Sequence, residues 1–554
     1  MTIDRKTIRW NGWGATQAHS PMEGRDAAWP WVAQAVNVAT LADTPARPLD
    51  SLPMPRSRLT GEPMAELTSV IPAARVLTDT YERAFHARGK SYHDLLYLRA
   101  GKFDACPDAV VYPETAEEAY NLLRWANHAG AAIVPYGGGS SVVGGVTASG
   151  GELVVAADMT RMNKLVSVDA ISMLATAEAG IYGVELERQL QAQGFTLGHY
   201  PQSFEFSTLG GWIAARGAGQ QSNRYGKAEK WLASAELATP RGLWQTEGFP
   251  ASAAGPNLNQ LIAGSEGALG LITRATFRIH RKPAHKDYRT FLMPSFEAGA
   301  DAIRTILQAE IPVATLRLSD ADETYFFQAF AKAGTPAGPK DAFQAAALKL
   351  MGVGTRPCAL IMGHEGDRDR VHQYVLACKR IVRSFGGAGV GAGPANRWYE
   401  GRFHGPYLRD PMMDKGLGVD TLETSTYWSN VPRLYNAVRT ALIDACTEHS
   451  GVKGGRGIVM AHISHSYPDG ASLYFTFIFP RDLGDDIGQW RKIKKAATDA
   501  IARNGGTLSH HHGVGEDHAP WMLGEKGALG MEVLRAVKKA LDPKGVMNPG
   551  KMVG

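Results

Sequence analysis

The 554 residues are 44% apolar and 20% charged, the balance of a folded chain long enough for several domains, so a disordered chain, a coiled coil and a metal-stapled mini-protein are all excluded. Lys and Arg number 59 against 54 Asp and Glu, a net charge of +5 without a basic block, which argues against nucleic acid as the main partner. The four cysteines, Cys106, Cys358, Cys378 and Cys446, are far apart with no C-x-x-C pair, so neither a zinc ribbon nor a disulfide framework is indicated and a reducing compartment fits.

The opening MTIDRKTIRWNGWG lacks a signal peptide's apolar core, and no apolar run approaches a membrane span. A cytoplasmic chain without a transmembrane segment is expected. Residues 1–100, rich in Trp, Pro and Arg with short helical patterns at 31–41 and 77–87, read as an N-terminal extension packed on something larger. At Ala109 the texture changes to a short buried strand. Thr115-Ala-Glu-Glu118 is then a capping box opening a helix with Ala119, Leu122, Leu123 and Ala126 on one face. A second strand over 132–135 runs into a glycine cluster, the layout of an α/β nucleotide-binding unit, and short strands alternate with helices through a domain placed at 101–283. Past the His280-Arg-Lys-Pro283 break, longer amphipathic helices alternate with strands at 359–365 and 473–479, an α+β domain placed at 284–500. The final segment, 501–554, carries SHHHGVG at 509–515 and a helix over 528–541, and is expected to close a site.

The loop Pro135-Tyr-Gly-Gly-Gly-Ser-Ser-Val-Val-Gly-Gly145 carries the cofactor argument. Consecutive glycines permit positive φ and let successive amides converge on one anion, with two serine hydroxyls beside them. The loop has neither a Walker Gly-Lys-Ser/Thr nor a G-x-G-x-x-G opening a helix, which disfavours ATP and NAD; a plain flexible turn is the alternative. Two more small-residue stretches, 207–219 and 264–270, leave room for a flat ligand.

Together these three segments resemble the FAD domain of the vanillyl-alcohol oxidase / p-cresol methylhydroxylase superfamily over about 106–282, through the paired motifs PYGGGSS and GSEGALGLIT. The resemblance implies an α+β protein: a two-subdomain FAD-binding domain, a substrate cap and a helical N-terminal extension. It implies FAD held by Pro135, Gly137, Gly138, Gly139, Ser140, Ser141, Gly145, Thr208, Gly211 and Glu266, with Ile272 as a backbone contact. Some members link flavin covalently to a His in the first loop; Ser140 and Ser141 stand there, so non-covalent FAD is expected.

Arg9-Trp-Asn-Gly-Trp-Gly14, the segment 197–212, Leu316-Arg-Leu-Ser-Asp320, Leu422-Glu-Thr-Ser425 and the segment 508–515 are similar to the alkyldihydroxyacetonephosphate synthase family, over most of the chain. That family exchanges the acyl group of acyl-dihydroxyacetone phosphate for a long-chain alcohol, forming an ether bond without net redox. The implied substrate is phosphate-bearing and lipid-like; a homodimer is expected and peripheral membrane contact is left open. By this resemblance His511 is the base beside the flavin and Tyr467 the catalytic tyrosine, with His510 and His512 in the same set. Arg317 and Arg409 are the substrate arginines, and His199 and Thr421 further substrate contacts.

The chemistry fits those residue types. Removing a proton beside a ketone needs a base, which histidine supplies near neutral pH. Extended backbone at 510–512 would put His510 and His512 on one face and His511 on the other; a structural His pair bonded to backbone is the alternative. A phenol acts as an acid at neutral pH, and as a base only if a cation lowers its pKa; an ordinary core Tyr467 is the alternative. Arg grips phosphate with two parallel hydrogen bonds, and Arg317, inside the apolar run VATLRL, demands a partner.

Three positions depart from the family: Gln202 where animal members have Asp, and His462 and His465 where it has Arg and Gln. The Ala-rich stretch 324–351 lies where the family places a lipid tunnel, and its helical spacing also reads as plain core. One competing reading is an FAD-dependent dehydrogenase or oxidase of a 2-hydroxy acid. Its metal set is incomplete here, with Tyr474 and His511 in place of its His and Glu. No metal is assigned, although His462, His465 and His511 remain an open set. A flavin-binding protein without catalysis is the other competitor.

Overall fold

Apolar tri- and pentapeptides build the first sheet. In the computed structural model, which describes residues 4–553 apart from His19, 334–337, 339–347 and Lys349, strands Ala109–Val111, Val154–Asp158 and Ala132–Tyr136 run parallel, with Val76–Leu77 antiparallel at one edge. The three parallel strands are buried on both faces, which is why they read as uninterrupted apolar runs. Thr115 Oγ1 accepts the Glu118 amide at 3.1 Å and opens helix Ala116–Ala129, whose Leu122, Leu123 and Ala126 pack on the sheet. The expected reciprocal half of the box does not form. The Glu118 carboxylate takes the Glu114 amide at 2.8 Å and the Arg75 guanidinium at 2.6 Å, because an ion pair outbids one more neutral hydrogen bond.

A five-stranded antiparallel sheet follows, in the order Leu165–Asp169, Leu174–Glu178, Leu271–Arg278, Leu232–Thr239 and Gly242–Gln245. Helices Gly183–Ala192 and Leu209–Ala214 share its core through Leu186, Leu190, Leu209 and Ile213.

The third sheet has seven antiparallel strands, in the order Ala388–Gly391, His285–Met293, Cys358–Gly366, Thr315–Ser319, Ile458–Ser466, Gly470–Pro480 and Leu417–Tyr427. Its two faces have different jobs, because side chains alternate along a strand. Leu316, Leu318, Leu360, Ala461, Ile463, Leu473, Phe475 and Phe477 point into a core shared with helices Phe296–Gln308, Arg368–Ser384, Val431–Glu448 and Asp486–Arg503. The intervening residues, among them Arg317, Ser319, Ile361, Thr421, Met460, His462, Tyr474 and Thr476, line a cavity on the other side.

The N-terminal patterns shift by a few residues: the first helix is Ala28–Ala35, and the second breaks into strand Val76–Leu77 and helix Thr80–Phe85. The last helix begins at Met522 and kinks at Gly527, whose φ is +69°. All four cysteines are buried free thiols, and no helix among the described residues is long and apolar enough to cross a membrane.

Candidate active site

The cavity has a volume of about 990 Å³ and lies between the first two sheets and the seven-stranded sheet. Every residue expected around the cofactor, from Pro135 and the Gly137–Gly139 triplet to Thr208, Gly211, Glu266 and Ile272, lines it. Gly139 sits at φ +67°, and a side chain on Gly138 would overlap the Phe206 carbonyl. The loop is therefore closed to bulk from behind. Among the described residues the Gly138, Gly139 and Ser140 amides donate to no protein acceptor, and unpaired amides need an anion or water. Ser141 Oγ accepts the Gly145 amide at 3.0 Å and shapes the turn; Thr208 Oγ1 caps helix Leu209–Ala214 through the Gly211 amide at 3.4 Å. A cradle of unpaired amides opening on a cavity lined by small residues fits the diphosphate and ring of a flavin dinucleotide.

Glu266 has a second task. Its carboxylate accepts the amides of Val514 and, at 2.8 Å, Gly515, tying the tail to the cofactor domain, and burial pushes its pKa up to about 7.

The histidine segment is not extended. Glu423 Oε1 accepts the amides of His510, His511 and His512 at 2.7, 2.6 and 3.0 Å, so the chain curls around one carboxylate oxygen. The expected sharing of a face by His510 and His512 is thereby overturned: His511 and His512 line the cavity, while His510 turns back against Tyr467. Glu423 lies on the same strand face as Val419 and Thr421, 1% exposed. Burial acts to raise its pKa, but the facing imidazoles, His511 foremost, hold the carboxyl well below its ordinary value. It is an anion at the heart of the site. The Leu422-Glu-Thr-Ser425 motif contains it, and the signal is a carboxylate in step with the cavity-facing positions Val419 and Thr421 of its strand.

From there a chain of polar contacts runs outward. His511 Nδ1 lies 3.4 Å from Glu423 Oε2 and 3.0 Å from His510 Nδ1, and His510 Nε2 meets the Tyr467 hydroxyl at 2.6 Å. A carboxylate beside Nδ1 favours the Nδ1–H tautomer of His511 and leaves Nε2 as its basic nitrogen. Burial and the Lys227 ammonium, which donates to the His510 carbonyl, push His510 well below the ordinary imidazole range. Burial, with Glu229 and Glu423 adding to it, raises the Tyr467 phenol well above its usual value, a direction that favours a proton donor over a base. Tyr467 and His510 stand one layer behind the cavity wall.

The partner demanded by Arg317 is Glu323. Arg317 NH2 lies 3.1 Å from Glu323 Oε1 and from His462 Nδ1, and His462 Nδ1 is 2.9 Å from the same carboxylate. Burial opposes the Glu323 charge, but His462 and Arg317 hold its pKa down at about 2. Arg409 is freer: NH1 donates to the Lys90 carbonyl at 2.8 Å, and the nearest carboxylate oxygen to NH2, on Asp420, is 4.0 Å away. Both arginines and Thr421 face the cavity. His199 does not. It is fully buried between the Trp212 and Trp231 indoles, Nδ1 accepting the Trp231 N–H at 3.3 Å, because two flat aromatic neighbours offer the ring a better berth than the wall does. Burial pushes its pKa down to about 3.

The open metal set also rearranges. His462 is turned to Glu323, while nitrogens of His465, His510 and His511 lie within 4.8 Å of one another, with both nitrogens of His510 already in contact with neighbours. Helix Ala321–Lys332 brings Phe326, Phe327 and Phe330 to one end of the cavity beside Val419, Met460 and Ile478. The stretch expected to form a tunnel thus supplies both wall and core; its residues 334–337, 339–347 and 349 lie outside the described residues.

Fold and cavity define a class, a flavoprotein that binds FAD across a glycine loop and covers it with a cap domain. Residues 107–247 match the FAD binding domain family, and residues 282–552 match the family of FAD linked oxidases, C-terminal domain. The chain is 35% identical over 520 residues to the alkyldihydroxyacetonephosphate synthase of Dictyostelium discoideum, covering 93% of this chain and 84% of that one. It is also 35% identical over 497 residues to that of Trypanosoma brucei brucei, covering 88% and 80%. A solved alkyldihydroxyacetonephosphate synthase structure superposes with a TM-score of 0.83 at 31% identity, over 99% of this chain and 100% of the other. The chain therefore belongs to the alkyldihydroxyacetonephosphate synthase family. Substrate-bound p-cresol methylhydroxylase, at TM-score 0.70 and 15% identity over 92% of this chain and 99% of that one, shares the fold.

Proposed function

We propose that this chain replaces the acyl group of acyl-dihydroxyacetone phosphate with a fatty alcohol, making an ether lipid precursor without net redox. The observation that carries this is one continuous cavity joining the glycine cradle, the His511–Glu423 pair, Arg409 and the phenylalanine-lined end. Bound FAD supplies an electron-accepting ring beside the reacting carbon. Arg409 grips the phosphate with donors its protein neighbours leave spare. His511 Nε2 takes the proton beside the ketone, and the Glu423 carboxylate steadies the resulting imidazolium. Tyr467 and His510, in series behind it, keep that ring in orientation and offer a path for the proton. Phe326, Phe330, Met460 and Ile478 hold the alkyl chains and keep water out. The same reading carries a homodimer in the cytoplasm, which light scattering and cell fractionation test.

The decisive assay mixes holoenzyme with palmitoyl-dihydroxyacetone phosphate and labelled hexadecanol, without oxygen or any electron acceptor. Label in an ether product, with free palmitate released, supports the proposal. Failure to exchange, together with flavin bleaching by simple 2-hydroxy acids, returns the chain to the oxidoreductases.

A further inference from the structure

Arg5 reaches the glycine loop from behind. It lies in the single turn Arg5–Thr7, 7% exposed, and its NH2 donates to the Gly137 carbonyl at 2.6 Å and to Asp158 Oδ2 at 2.5 Å. Asp158 is paired with Tyr136 at the C-terminal ends of two parallel strands, where open α/β sheets bind their ligands. That carboxylate also takes His86 Nε2 at 2.8 Å and the Thr160 amide at 2.8 Å, so it is held in place independently of Arg5. The guanidinium carbon lies 5.1 Å from the Phe85 ring centre and 5.5 Å from that of Tyr136. The turn is pinned in its own right: the Tyr81 hydroxyl is 3.0 Å from both the Arg5 and Ile8 carbonyls.

A trans peptide is planar, and its carbonyl and amide point in opposite directions. The Gly137 carbonyl and the Gly138 amide belong to one such plane. Fixing the oxygen on the Arg5 side turns the N–H to the other side, where the loop borders the cavity and that amide has no protein acceptor. We propose that Arg5 is a positioning residue of the cofactor site, which aims the Gly138 amide at the diphosphate of the bound dinucleotide by holding the Gly137 carbonyl away from it. The N-terminal segment is then a working part of the cofactor site. This rests on the FAD domain and not on the exchange reaction, so either reading can fail without the other.

The test strips FAD from the full-length parent and from the Arg5→Gln, Arg5→Lys and Arg9→Ala variants. FAD is titrated back by quenching of its fluorescence, and ADP, which has the diphosphate without the flavin, by competition. Thermal unfolding of the stripped proteins is measured alongside. Arg5→Gln is expected to weaken FAD and ADP alike by ~10- to 100-fold, the scale of losing a charge-assisted hydrogen bond, with Arg5→Lys between it and the parent. Arg9→Ala, which loses contact with Asp410 but leaves Arg5, should stay within about threefold. A folded Arg5→Gln protein that binds FAD like the parent overturns the inference, as does loss of FAD with ADP unchanged or an equal loss in Arg9→Ala. If Arg5→Gln does not fold, Arg5→Lys decides on the same two ligands: parent-like affinity for both overturns the inference.

Discussion

Glu423 is the residue on which the chemistry turns, because one buried carboxylate sets the backbone path of three histidines and neutralises the charge that His511 acquires. Glu423→Gln keeps the volume and one acceptor oxygen but loses the charge. Exchange should fall by ~100-fold or more, the usual weight of a disabled general base, while the visible flavin spectrum persists. Tyr467→Phe removes only the outer end of the relay and should cost less, ~10-fold, again with flavin retained. Glu266 makes a pH-dependent case. Burial raises its folded pKa from 4.5 to about 7, so between those values the folded state holds a proton that the unfolded state releases. Its contribution to stability is complete below 4.5 and is lost as pH climbs to about 7. In flavin-free protein, Glu266→Gln should therefore gain unfolding temperature relative to the parent on going from about pH 5 to pH 7.5, as differential scanning fluorimetry would detect.

At the scale of elements, the glycine loop and the histidine turn differ in how readily the sequence reveals them. The loop is local: successive glycines, backbone amides and two short parallel strands are enough to predict an anion cradle, and all the expected cofactor positions face the cavity. Gly138→Val should accordingly give colourless protein, since the new side chain would run into the Phe206 carbonyl; the absorbance ratio of flavin to protein after purification reads this directly. The turn at 510–512 is non-local. Its shape is dictated by a carboxylate 87–89 residues away, so the strand-like alternation that the local sequence implies pairs the wrong faces. His199 departs from its expected place for a partly related reason: its motif neighbours are near the cavity, but Trp212 within the motif and Trp231, 32 residues along the chain, capture the ring.

Across the whole molecule, burial of neutral histidines predicts acid sensitivity. Burial holds His199 at about 3 in the folded state against 6.5 for the free group, and it lowers His462, His465, His510, His512 and His518 as well. Below pH 6.5 the unfolded chain takes up protons that the folded one refuses, so stability is lost as pH falls. Each such ring contributes up to about 1.4 kcal/mol per pH unit, and His199→Leu should flatten the fall of unfolding temperature on the acid side.

Two clasps join stretches of chain made at very different times: the Trp13 amide meets Asp410 Oδ2 at 2.8 Å across 397 residues, and the Gly515 amide meets Glu266 at 2.8 Å across 249. A nascent chain emerging from the ribosome has its glycine cradle early, but the first clasp waits for Asp410 and the second for Val514 and Gly515. The cavity wall at Glu266 is therefore completed only after the whole seven-stranded sheet has been made.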